Sequence, residues 1–137
     1  MRIGRRDVGP GHPVFVIGEI GSNWGGSLDA ALALVDAVAD AGGDCAKFQA
    51  GHADHVYDKE QFPDEHASFT RWIEPTLAIL PQLKAKCDER DIEFMCSTFC
   101  FDALDAVDPY VNAHKVASIE ATWQPFVRAV GRKKKPL

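Results

Sequence analysis

Four stretches of this chain end in side chains able to do chemistry. Glu19 follows the apolar run Val14-Phe15-Val16-Ile17. Lys47 and Gln49 lie in Asp44-Cys45-Ala46-Lys47-Phe48-Gln49. Ser97 and Thr98 close Ile92-Glu93-Phe94-Met95-Cys96-Ser97-Thr98, and Lys115 and Ser118 fall in Ala113-His114-Lys115-Val116-Ala117-Ser118. A carboxylate is costly to bury unpaired, so Glu19 at the end of a buried run is either paired or placed for reaction. Two lysines with hydroxyls and backbone amides suit a phosphate and a carboxylate. Taken singly, each group is also compatible with a satisfied polar residue in a core. Taken together, polar groups converging at one place are the default signature of a site.

The elements that would position these groups can be read from period and punctuation. The apolar run predicts a first strand over 14–20, buried on both faces as in a parallel sheet. Ser27 is placed to cap a helix, with Asp29 in its first turn. Leu28, Ala31, Leu32, Val35, Val38 and Ala39 share one face of that helix, and Gly42-Gly43 stops it. A second buried strand spans 44–49. Residues 50–70 read as a long polar connection rich in His and Asp, a length common in functional loops. Leu77, Leu80, Leu83 and Cys87 mark a second helix ending near Arg90, which either starts at Pro81 or is kinked there. A third strand covers 92–98, and a short helix through Phe101, Leu104 and Val107 closes at Asp108-Pro109. A fourth strand covers 113–118, and Thr122 is placed to cap a helix from about Pro125 to Val130. Residues 1–13 are an irregular lead-in or a short hairpin. The alternation βαβαβαβα predicts an α/β fold with a parallel sheet and right-handed crossovers. Ligands of such sheets gather at the C-terminal ends of the strands.

Composition narrows the class. The 137 residues are 46% hydrophobic and 26% charged, ordinary for a globular domain with a real core. The net charge of -5 argues against a nucleic-acid partner. Four cysteines, at 45, 87, 96 and 100, form neither a CxxC pair nor a secreted framework, which points to reduced thiols and a cytoplasmic location. The basic start is followed by too short an apolar run for a signal peptide, and no segment is long enough to span a membrane.

The ordered motifs Gly18-Glu19-Ile20-Gly21-Ser22-Asn23, Ala41-Gly42-Gly43-Asp44-Cys45-Ala46-Lys47-Phe48-Gln49, Phe94 to Thr98 and His114-Lys115-Val116-Ala117-Ser118-Ile119-Glu120 resemble the N-terminal half of the N-acetylneuraminate (sialic acid) synthase family. The tail, Pro125-Phe126-Val127-Arg128 through Lys135-Pro136-Leu137, resembles the family's approach to its fifth strand. The resemblance runs from about residue 14 to the end. It implies a partial TIM (β/α) barrel of about four βα units over 14–137. It implies an enzyme that condenses phosphoenolpyruvate with an N-acyl amino sugar such as N-acetylmannosamine and releases phosphate. A divalent metal, Mn or Mg, would polarise the sugar aldehyde. By the same resemblance Lys47 and Lys115 are phosphoenolpyruvate ligands, and Thr98 and Ser118 are hydroxyl donors to it. Glu19 is the acid near the reacting carbon and the water, and Glu120 contacts the sugar and assists proton transfer. Gln49 shapes the pocket. The family's two metal-binding histidines have no counterpart in this chain, so no metal ligand is assigned within it.

Four departures qualify the match: Trp24-Gly25 where His-Asn is usual, no Pro after Thr98, Ile119 where Gly is common, and Trp123 for Asn. Length is a fifth, since a complete barrel needs roughly 250 residues. A non-catalytic remnant keeping part of the anion site, or a half-barrel assembly partner, therefore stand beside the synthase. An open half barrel is expected to self-associate through its unpaired edges, and its inner face would expose Ile17, Ala46, Phe94, Val116 or their neighbours according to register. His52 and His55, with Asp54 and Asp58 near, lack a closed set of four metal ligands. Arg132 to Lys135 read as a solvated helix end.

Overall fold

The computed structural model describes residues 1–137. It opens with a two-strand antiparallel hairpin, β1 (Arg2–Ile3) and β2 (Arg6–Asp7), which resolves the lead-in as a hairpin. Then follow β3 (Ile17–Gly21), α1 (Leu28–Asp40), β4 (Cys45–Ala50), α2 (Pro63–Trp72), α3 (Leu80–Glu89), β5 (Glu93–Thr98), α4 (Phe101–Val107) and α5 (Gln124–Arg132). The main sheet is parallel, in the order β3-β4-β5. Strand order that repeats chain order, with a helix crossing over between strands, is the plan of a β/α barrel.

Alternation divides each strand between two faces. Ile20, Ala46, Phe48, Ala50, Phe94 and Cys96 face α1 and α3, where Ala31, Val35, Leu80, Leu83 and Cys87 complete the main core. The Phe48 and Phe94 rings meet there with centroids 6.1 Å apart. Gly18 is required by this packing, because a Cβ on it would approach Val38 Cγ2 to 2.5 Å. Helix α1 begins where the Ser27 hydroxyl accepts the Ala30 N–H and ends before Gly42, which takes φ +78°. Helix α3 has Pro81 in its first turn, preceded by a 3₁₀ stretch over Glu74–Ile79, so Pro81 marks a start and not a kink.

Several expectations are corrected. The run 14–20 is not buried on both faces: pairing starts only at Ile17, Val14 is 82% exposed and Val16 and Ile17 are exposed too, because β3 is an edge of the sheet. The connection over 50–70 contains a 3₁₀ turn at Ala53–His55 and the helix α2. The fourth strand is reduced to one parallel bridge, Ser97 with Lys115, and the preceding amide, that of His114, donates to Pro136 O at 2.8 Å. Thr122 does not cap α5; Trp123 holds that position with no side-chain bond, and Pro125 enters the first turn. Ala46 and Phe94 are buried under helices, so they do not form an exposed inner face. Lys133 pairs with Asp105 at 2.6 Å and Lys135 with Asp108 at 2.9 Å, tying the tail to α4 where a free basic end was expected.

Candidate anion site at the strand ends

The second face of the sheet carries the chemistry. Its lower row is Cys45, Met95 and Ala113, packed beneath Ile3 of the hairpin and Phe15. Below these, Asp44 accepts the Val16 N–H at 2.8 Å and pairs with Arg6. Two residues further along each segment stand Lys47, Ser97 and Lys115. The two-residue period therefore puts closed packing at one end of this face and polar groups at the other.

Lys47 is the centre of that polar row. Its side chain is 12% exposed, pairs with Glu19 and makes a long 3.5 Å hydrogen bond to Ser97 Oγ. Glu19 is the register partner of Lys47, and the pairing then slips so that Gly21 stands opposite Phe48. This bulge needs Gly21, which has φ +60° and whose missing Cβ would lie 3.1 Å from Glu19 Oε1 and 3.7 Å from the Gln49 amide carbon. The bulge thus turns the chain away immediately past Glu19, beside Gln49. Burial first, and the like charge of Lys115 second, hold the Lys47 ammonium below the ordinary lysine range.

Glu120 completes the arrangement. It is 5% exposed, and its Oε2 is buried without a hydrogen-bond partner. Burial pushes its carboxyl above the ordinary range, against a pull from its own backbone N–H and from Lys115. The structure therefore brings Glu19, Lys47, Ser97, Lys115 and Glu120 into one electrostatic neighbourhood. Thr98 is buried at the end of β5, on the parity of Phe94 and Cys96. Ser118 is exposed in the turn that follows, where its carbonyl accepts the Ala121 N–H at 3.3 Å. Ser97, named in the sequence only as a polar strand end, is the hydroxyl that reaches Lys47; counting in twos from Met95 is the signal that finds it.

Other polar candidates are already engaged. No three His, Cys, Asp or Glu side chains converge as a metal cage, so the residues present do not fit the divalent metal that the resemblance implies. All four cysteines are buried and free, and burial lifts the Cys87 thiol to about 12. Trp24, one of the departures, is 2% exposed in the main core, whereas Ile119 stands in solvent and Trp123, partly exposed, stacks on Phe126 with centroids 5.4 Å apart. No helix is long and apolar enough to cross a membrane.

Known proteins share this plan. The chain is 37% identical along its whole length to the spore coat polysaccharide biosynthesis protein SpsE of Bacillus subtilis, of which it spans 39%. Over 49% of its length it is 36% identical to human N-acetylneuraminate-9-phosphate synthase, covering 19% of that protein. Its fold superposes on the N-acetylneuraminic acid (sialic acid) synthetase of Leptospira borgpetersenii with a TM-score of 0.84 at 27% identity, over 97% of this chain and 46% of that one. The chain therefore spans less than half the length of these relatives, as the first units of their β/α barrel. The family model matches residues 34–137, which include Lys47, Ser97, Lys115 and Glu120, and on that match and the full-length identity to SpsE the chain belongs to the NeuB family.

Proposed function

We propose that this chain supplies the phosphoenolpyruvate-binding half of a nonulosonic acid synthase, which joins phosphoenolpyruvate to an N-acyl amino sugar such as N-acetylmannosamine. The observation that carries the reading is the pair Lys47 and Lys115, which flank Ser97 of β5 at the strand ends, close enough for the Lys115 charge to lower the pKa of Lys47. Glu19 is the only carboxylate paired with either ammonium group, and a bound phosphate or carboxylate would relieve their repulsion. Thr98 and Ser118 are assigned as further hydroxyl donors by their positions in the family motif.

In the reaction the methylene carbon of phosphoenolpyruvate bonds to the sugar's aldehyde carbon, whose oxygen takes up a proton. Water adds to the former enol carbon and loses a proton, and the bond from that carbon to the phosphate oxygen breaks. The products are a 2-keto acid and inorganic phosphate. Glu120, buried and with its carboxyl pushed above the ordinary range by that burial, is suited to give a proton to the developing alkoxide. Glu19, more exposed and paired with Lys47, is placed to orient the water. No step is assigned to a metal within this chain.

A second reading is a half barrel that binds the anion and completes the chemistry only with further barrel units. The exposed edge at Val16 and Ile17 supports self-association or pairing with further barrel units. Calorimetry with phosphoenolpyruvate tests both readings at their common root. Lys115→Met is expected to weaken binding roughly tenfold to a hundredfold, the worth of a charge-assisted contact, while leaving the melting temperature within a few degrees. Unchanged affinity would remove the anion site; bound phosphoenolpyruvate without phosphate release in the presence of N-acetylmannosamine and Mn would select the second reading.

A further inference from the structure

Lys115 is not held by a strand ladder. Strands β4 and β5 match through six register pairs, from Cys45 with Glu93 to Ala50 with Thr98, whereas the segment that carries Lys115 makes one bridge, to Ser97. A clasp of side chains behind that segment takes the ladder's place. His114, its side chain 2% exposed, lies with Nε2 at 2.9 Å from Asp108 Oδ1, just past the end of α4. The same oxygen receives Lys135 Nζ at 2.9 Å, and Lys135 also donates to the Asp108 carbonyl. Lys133 Nζ stands 3.7 Å from Asp108 Oδ2. The His114 amide donates to Pro136 O at 2.8 Å. One acid thus joins the residue before Lys115 to the tail that follows α5. Val116, on the other side of Lys115, packs with Leu104, Phe126 and Val130 of the two helices.

Asp108 also orients the ring. Burial alone would lift its carboxyl, but the hydrogen bonds from Lys135 and His114 outweigh that and hold it below the ordinary carboxylate range. An ionised carboxylate only accepts, so His114 Nε2 carries the ring proton and Nδ1 is a bare acceptor. Nδ1 is buried without a partner. A protonated ring would put an N–H there with nothing to receive it, and burial pushes the imidazole below its ordinary range against the pull of Asp108. His114 is a neutral strut with a single side-chain bond to set its direction. We propose that Asp108 and His114, with Lys135, are positioning residues that fix Lys115 at its bridge to Ser97, so that its ammonium acts with that of Lys47 on one anion. The role in binding rests on phosphoenolpyruvate being that anion. None of the three needs to touch it, because consecutive residues of an extended segment send their side chains to opposite faces.

Two measurements separate the clasp from the binding it serves. The first needs no ligand. The Lys47 ammonium, followed by NMR through a titration of the free protein, is held low in part by the charge of Lys115. Lys115→Met sets the full rise that removing this charge produces. Asp108→Ala and Lys135→Met release Lys115 from its seat, so both should move the Lys47 titration part of that way toward the ordinary lysine range. Lys135→Arg, which keeps a cation for Asp108, should restore it. The second measurement is calorimetry with phosphoenolpyruvate. Asp108→Ala should weaken binding by roughly threefold to tenfold, the worth of one hydrogen bond, and Lys135→Met by less. Lys135→Met keeps the test open if Asp108→Ala does not fold. An unchanged Lys47 titration in the folded variants overturns the clasp. So does unchanged affinity in them where Lys115→Met weakens it, and the anion site then stands without the clasp. If the unaltered chain binds no phosphoenolpyruvate, the anion site falls and the Lys47 titration decides the clasp by itself.

Discussion

The two ends of the inner sheet face are built from the same three segments, and they are physically opposite. At the lower end Cys45, Met95 and Ala113 lie under Ile3 and Phe15, and the carboxylate of Asp44 is satisfied by Arg6 and the Val16 N–H. At the upper end, two residues further on, Lys47 and Lys115 repel each other and a Glu120 oxygen is buried without a partner. The lower end contributes stability, and the upper end spends some of it on groups left ready for a ligand. That difference, found within a few residues of each strand, is what separates support from chemistry in this chain.

Substitutions at the two ends should therefore give opposite results. Met95→Ala, in the lower row, should cost the most, about 3 kcal/mol in denaturant unfolding, since it leaves a cavity beneath a fixed hairpin. Asp44→Ala should cost about 2 kcal/mol by removing the acceptor shared by Arg6 and Val16. If both were neutral, the lower end would not be the support described. Glu120→Gln, at the upper end, should instead raise the melting temperature slightly at pH 7. The sign follows from the carboxyl's raised pKa in the fold: its contribution is fully present below the unfolded glutamate range and is lost as pH rises through the folded value. The gain from Glu120→Gln should therefore shrink toward zero near pH 4, where the wild-type carboxyl is protonated as well. A melting temperature lowered at pH 7 would show that Glu120 is a structural acid.

Much of this arrangement was legible in the residues. Ser27, the face through Ala31 and Val35, and Gly42 define α1, because each acts locally. The apolar stretches around Phe48 and Phe94 define β4 and β5, because both faces of those strands are covered. The first strand was overextended, since an apolar run records hydrophobicity and not what covers it; at a sheet edge Val14 and Val16 face water. Helix α2 was hidden because only Phe69 of it is buried, leaving almost no apolar period to read. The fourth strand was overread because its register depends on the neighbour: only Lys115 finds one, in Ser97. The choice between Ser97 and Thr98 was invisible for the same reason, since one step along a strand exchanges its faces.

The order β3-β4-β5 has a consequence for how the molecule comes into being. Each strand pairs with the one made just before it, so a growing chain can extend the sheet at one edge without waiting for a distant partner. The hairpin and Arg6 emerge first, and Asp44, which receives Arg6, arrives with the second strand of the sheet. The base is thus closed as soon as two strands exist, and the repelling lysines are brought together only when Lys115 joins Ser97. Assembly proceeds from the settled end toward the unsettled one, so the electrostatic conflict is imposed last, on a framework already able to bear it.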